Sequence, residues 1–106
     1  MSSRRYQFSE QALADLEEIS SFLYTRSSVA AKNVLDSLEK ALRTLAEDPE
    51  LGLRRDDLHL GIRMFVPAKP AQRYVIFYYI AEEAIEISDI VHSARDWVGM
   101  FARSER

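Results

Sequence analysis

Arg73-Tyr74-Val75-Ile76-Phe77-Tyr78-Tyr79-Ile80 is eight residues long and apolar on both of its alternating faces. One face carries Tyr74, Ile76, Tyr78 and Ile80; the other carries Val75, Phe77 and Tyr79, with Arg73 alone breaking the pattern. A strand of this kind must be covered on both sides, so it is expected at the centre of a sheet with material packed above and below. Its neighbours supply that sheet. Ile62 to Val66 reads as a strand before it, and Pro67 and Pro70 bracket the intervening turn. Ala81-Glu82-Glu83-Ala84 makes a polar hairpin turn into a third strand, in which Ile85, Ile87 and Val91 share a face. Asp89 falls on that same face. Either a bulge shifts the register so that Ile90 turns inward, which is the preferred reading, or a carboxylate sits near the core and needs a partner.

The first half has the helical period instead. Arg5-Tyr6-Gln7-Phe8 alternates as a short strand, and Ser9 is placed to cap a helix with Glu10 in its first turn. Ala12, Leu13, Leu16, Ile19 and Leu23 then share one face, with Asp15, Glu17, Glu18 and Ser21 mostly off it, to about Arg26. Ser27-Ser28 offers a second cap. Ala31, Val34, Leu35, Leu38, Ala41, Leu42 and Leu45 follow at steps of three and four until Asp48-Pro49 stops the helix. Two such helices on a short polar link form an antiparallel hairpin. Residues 49–61, with Pro49, Gly52 and Gly61 among charges, read as a connector with one helical turn at most. Ser93 and Asp96 have capping-box spacing, and Ala94, Trp97, Val98 and Phe101 continue at helical intervals into a short closing helix that Gly99 weakens.

A chain of 106 residues fits one domain, and with no cysteine it has neither disulfides nor thiolate chemistry. No apolar run reaches the length of a membrane span, and the start lacks a signal-peptide core, so a cytoplasmic protein is expected. Charge is uneven: residues 9–50 hold nine acids against four bases, while residues 51–106 hold eight of each. A phosphate-binding protein usually presents a clustered basic face, which this distribution does not require. Strong direct binding of nucleic acid is therefore not expected. His59 and His92 lack a paired metal-ligand motif, there is no Gly-x-Ser-x-Gly elbow and no glycine-rich phosphate loop, so no metal or cofactor is expected.

Gly61-Ile62-Arg63, the Tyr-Val-Ile-Phe-Tyr strand and the closing His92-x-x-Arg95-Asp96, in this order, resemble the RelE/ParE toxin superfamily, most closely its ParE or plasmid-stabilisation branch. The resemblance spans roughly residues 4–97 and covers the Asp48-Pro49 and Gly52 punctuation. It implies an α+β fold: an N-terminal strand, an antiparallel helical hairpin on one face of a small twisted, mainly antiparallel sheet, and a short C-terminal helix. It also implies a toxin that causes growth arrest by binding DNA gyrase and is neutralised by a cognate antitoxin, a ParD-like small acidic or ribbon-helix-helix protein that wraps it by groove packing and strand addition.

Arg63, Arg73, His92, Arg95 and Asp96 are the candidate polar site. If the strands pair as the resemblance implies, Arg63, Arg73 and His92 share one region of the sheet. In a nuclease, His92, Arg63, Arg73 and Arg95 would be the catalytic set, with Glu86, and less readily Asp89, as base. The simpler reading makes His92 a strand-end residue bonded to backbone and Arg95-Asp96 a local ion pair. Trp97 and Phe101 either join Arg63, Arg73, His92, Arg95 and Asp96 in a partner-binding surface or close the end of the core. The chain departs from the RelE branch in having three lysines, two of them in the second helix, and acidic Glu82, Glu83 and Glu86 near the site; Ser93 stands where the ParE pattern often has glycine. A non-catalytic gyrase inhibitor is the leading expectation. A ribosome-dependent mRNA endoribonuclease and an inactive antitoxin-binding module are the alternatives.

Overall fold

The computed structural model describes residues 5–103. Strand β1 (Arg5–Phe8) leads into helices α1 (Glu10–Arg26) and α2 (Ser28–Glu47), a 3-10 turn (Pro49–Leu51), strands β2 (Leu53–Arg54), β3 (Arg63–Phe65), β4 (Tyr74–Ile80) and β5 (Ala84–His92), and helix α3 (Trp97–Arg103). The sheet order is β1-β5-β4-β3-β2, so the first strand lies beside the last. β1 runs parallel to β5 and every other pairing is antiparallel. The expected α+β arrangement, with a helical hairpin on one face, is the one observed. No helix among the described residues is long and apolar enough to cross a membrane.

One residue, Ser27, makes the hairpin. Its backbone is extended; its N–H donates to Leu23 O at 3.0 Å, ending α1, and its Oγ accepts from Ala30 N at 3.2 Å, starting α2. α2 buries the expected stripe, from Ala31 through Val34, Leu38, Ala41 and Leu42 to Leu45. α1 departs from its expected face. Asp15 is buried with Ala12 and Ile19, whereas Leu13 is half exposed. The helix is turned so that the Asp15 carboxylate meets a backbone donor of β5, Ile90 N.

β4 lies at the centre, buried on both faces from Tyr74 to Tyr78. Tyr74, Ile76 and Tyr78 pack with Leu38, Leu42 and Leu45 of the hairpin and with Ile85, Ile87 and Ile90 of β5. Val75 and Phe77 face the other way, into a smaller core with Ile62, Val91 and Phe101, edged by Leu58, Met64 and Trp97. Fully burying side chains of this size contributes about 1.5–3 kcal/mol each, so covering the second face is worth a strong stabilisation that a bare three-stranded meander would lack.

The bulge and the buried carboxylate, posed as alternatives, occur together. Phe77 pairs with Asp89 but Tyr78 with Ile87, leaving Ser88 unmatched. The extra residue turns Ile90 into the hairpin core and sends Asp89, 1% exposed, to the side of Phe77, where the Ser88 hydroxyl hydrogen-bonds its carboxylate. The two-residue strand β2 is too short to leave a periodic signal in the sequence.

The connector is pinned from beneath by two side chains. The Tyr78 hydroxyl donates to Pro49 O at 2.7 Å and accepts from Gly52 N at 2.8 Å. Arg63 Nη1 donates to Gly52 O at 2.8 Å and to Glu50 O at 3.2 Å. Gly52 has no room for a side chain: a Cβ there would overlap the Tyr78 ring. Tyr78→Phe leaves a buried N–H and a carbonyl without their partner and is expected to cost about 1–3 kcal/mol. Gly52→Ala should destabilise to a similar degree through overlap. Urea unfolding measures both, and midpoints equal to that of the unsubstituted protein would show that the clamp carries no stability.

Candidate effector cleft

β5 is nine residues long and β1 only four, so the ladder between them stops at Phe8 and Ile87. Beyond that point the edge of β5 needs other partners. The start of α1 provides them. Ser9 N donates to Ile87 O at 2.9 Å, Ser9 Oγ donates to Ser88 O at 2.7 Å, and Asp15 Oδ2 accepts from Ile90 N at 2.9 Å. Gln11 Nε2 donates to the other carboxylate oxygen at 2.8 Å.

Above this contact, between α1 and the ends of β4 and β5, opens a cleft of about 250 Å³. Ile19 and Phe22 form its α1 wall together with Asp15 and Glu18, and Tyr74, His92 and Arg95 form its sheet wall. The His92 and Tyr74 rings meet edge to face with centroids 5.6 Å apart. Burial pushes the Tyr74 hydroxyl above its ordinary range, with the Arg73 charge opposing. Burial likewise raises the Asp15 carboxyl; the bonds from Ile90 N and Gln11 oppose it, the Asp89 charge adds to the rise, and the Arg95 charge opposes it. Sequence reasoning placed Asp15 and Glu18 off the apolar face of α1 and so missed them. The signal available was a carboxylate nearly two turns after a capping serine, opposite a strand with a bulge.

Of the expected site residues, Arg73, His92 and Arg95 stand at this end of the sheet. Ser93 N donates to Arg73 O at 2.7 Å, His92 pairs across from Tyr74, and Arg95 is exposed on the rim. Arg63 does not join them. It pairs with Tyr78, four residues further along β4, about 13 Å away at strand rise, and its guanidinium is engaged with the connector. The arrangement expected for Arg63, Arg73 and His92 in one region is thus split between two ends of the strand.

The remaining candidates have structural employment. His92 Nδ1 accepts from Ala94 N at 3.1 Å, which places the proton of a neutral ring on Nε2, as the backbone-bonded reading of this residue anticipates. Asp96 Oδ1 accepts from Gly99 N at 2.9 Å, so Asp96 caps α3 itself; the expected capping box starting at Ser93 is displaced because a turn closed by Arg95 N to His92 O, 3.0 Å, comes first. Trp97 and Phe101 both pack on Phe77, with ring centroids at 5.6 and 4.8 Å, and Arg55 lies over the Trp97 ring at 5.1 Å. Phe101 is 4% exposed, so the core has taken up its surface. Glu86, opposite Tyr79, lies six residues before His92, about 20 Å along the strand, and Asp89 is buried. Neither carboxylate suggested as a base reaches the cleft's histidine. His59 is bonded to Tyr79 through Nδ1 at 2.8 Å, five residues along β4 from Tyr74.

Because the folded protein holds the Asp15 proton more tightly than the unfolded chain does, this group's contribution is greatest below its ordinary value of 3.8 and declines as pH rises through the window above it. The difference in unfolding free energy between the native sequence and Asp15→Asn should therefore shrink over that window and level off once Asp15 is ionised in both states. Urea unfolding of the two proteins across pH measures it, and a constant difference would contradict the assignment. Asp15→Ala, which leaves Ile90 N without its acceptor, is expected to cost about 1–3 kcal/mol.

Residues 6–97 match the family model described as the ParE toxin of the type II toxin–antitoxin system, parDE. A protein named toxin RelE2 from Caulobacter vibrioides is 36% identical over 85 residues, a stretch covering 80% of this chain and 90% of the relative. A chain from the chromosomal ParDE TA system of P. aeruginosa superposes with a TM-score of 0.70 at 15% identity, covering 85% of this chain and 96% of that one, and thus shares the fold. With the family match extending from the first strand to the first residue of α3, the chain belongs to the ParE toxin family of type II toxin–antitoxin systems.

Proposed function

We propose that this toxin arrests growth by binding DNA gyrase, without catalysis, through the end of the sheet formed by Arg73, His92 and Arg95, and that a ParD-like antitoxin neutralises it. The observation that carries this reading is the use made of the acid–base groups. A nuclease acting by 2′-hydroxyl attack needs a base, an acid and phosphate-binding cations within reach of one phosphate. Here Glu86 lies far along the strand, Asp89 is buried, Asp15 is bonded at both oxygens, and Arg63 is committed to the connector. What faces outward at the cleft is a mixed rim with apolar walls, including Phe22, 52% exposed. That combination suits contact with a protein better than with a polyanion. On this reading the whole chain acts as one toxin domain in the cytoplasm.

The second reading, an endoribonuclease working on the ribosome, draws on the grouping of Tyr74, Arg73, His92 and Arg95 at a single sheet end. Purified protein added to separate supercoiling and translation reactions discriminates them. Loss of gyrase supercoiling with translation unaffected is expected. The double substitution Arg73→Ala/Arg95→Ala should weaken that inhibition by about tenfold or more, and His92→Ala, which removes one neutral contact whose Nδ1 is already bonded to Ala94 N, by a smaller factor. Blocked translation that His92→Ala restores would establish the nuclease instead, and protein silent in both reactions would leave an antitoxin-binding module.

A further inference from the structure

The α1 wall of the cleft carries an aromatic ring that the core does not use. Phe22 is half exposed, although Ile19, one turn earlier on the same face, is buried. Its ring is engaged at the surface instead: the Arg26 guanidinium carbon lies 4.9 Å from the ring centroid, at the i,i+4 spacing that brings side chains together on a helix. Ile19 and Phe22 line the cleft together with Tyr74 and His92 of the sheet wall, so this planar cation is held at the edge of an apolar opening.

The charges around the opening are unequal. Of the two acids in its lining, Asp15 is buried with both oxygens bonded, and Glu18 faces solvent. Asp96, next to Arg95, is turned to Gly99 N. Against Glu18 stand Arg26 on α1, Arg73 beside Tyr74, and Arg95 on the rim, all exposed. Among the described residues neither Glu18 nor any of these arginines takes part in an ion pair. A chain of formal net charge −3 thus keeps arginines without counter-ions around an apolar opening. Such an opening takes an apolar side chain with carboxylates beside it, and arginine with aromatic residues around a desolvated pocket are the usual carriers of binding energy between proteins.

Resting on the gyrase reading above, we propose that Phe22 and Arg26 are specificity-determining residues for the target: the cleft seats one aliphatic or aromatic side chain of a gyrase segment against Ile19 and Phe22, and carboxylates flanking that side chain meet Arg26 and Arg95. The effector surface is then built from both layers of the fold, the end of the sheet and the hairpin end of α1. Glu18 repels the same carboxylates and limits the affinity.

Supercoiling by purified gyrase is titrated with the native protein and with single variants, whose fold circular dichroism and the urea midpoint check. Phe22→Ala is expected to need about tenfold or more protein for half inhibition, Phe22→Tyr to act nearly as the native protein does, and Arg26→Glu to lose about tenfold or more together with much of the salt dependence. Glu18→Gln should strengthen inhibition about two- to fivefold, the reach of one rim charge, which the loss of a merely structural contact would not do. Leu60→Ala, exposed in the connector, should leave inhibition unchanged. Full inhibition by Phe22→Ala at the native concentration, or weaker inhibition by Glu18→Gln, overturns the proposal and leaves the gyrase reading standing; a native protein that leaves supercoiling untouched overturns both. If Phe22→Ala instead releases a translation block, or weakens binding of the antitoxin encoded beside this chain with gyrase inhibition unchanged, the cleft belongs to RNA or to the antitoxin and the proposal fails.

Discussion

A strand that outruns its neighbour leaves backbone groups in need of partners, and the fold turns on how β5 solves this. β1 pairs with only the first part of β5, yet Ser88 O and Ile90 N beyond it are satisfied by Ser9 and Asp15 from the first two turns of α1. Those bonds set the rotation of α1 against the sheet, since Asp15 must face inward and Leu13 must therefore face out. They also require the bulge, because Ser88 is the residue whose insertion brings Ile90 to the hairpin side. A buried carboxylate would ordinarily be a liability; accepting from a backbone N–H and from Gln11 makes it a fastening. The cleft lies beside this fastening, lined by Asp15 and Ile90 themselves, and the chain leaves the sheet at its edge in the turn after His92.

The same economy explains why the polar cluster at the chain's end does not form a compact catalytic constellation. β4 needs cover on both faces, and on the second face that cover comes from Ile62, Leu58, Trp97 and Phe101. Holding α3 in place consumes Asp96 as its cap and sets Trp97 against Phe77 and under Arg55. Holding the connector consumes Tyr78 and Arg63. Of the candidate polar residues, Arg73, His92 and Arg95 are the ones that remain outward at one end of the sheet.

Local pattern determined a large share of this molecule. The periodicities of α2 and β4, the serine caps at Ser9 and Ser27, the stop at Asp48-Pro49 and the central position of β4 were all legible, because each depends on residues close in sequence whose propensity and burial agree. The order of these elements, with the short motifs around Arg63 and His92, was enough for the family. Tertiary structure alone decided the rest. Whether Asp15 faces in or out depends on a donor 75 residues away on β5. Whether Arg63 stands beside His92 depends on the register of β3 and β5 against β4, which sets Arg63 opposite Tyr78 and His92 opposite Tyr74, four residues apart along the strand. β2 is only two residues long, and Gly52 is required by a tyrosine from another strand. Period and propensity are properties of neighbours along the chain; hydrogen-bond partners and site geometry belong to neighbours in space, which no single segment specifies.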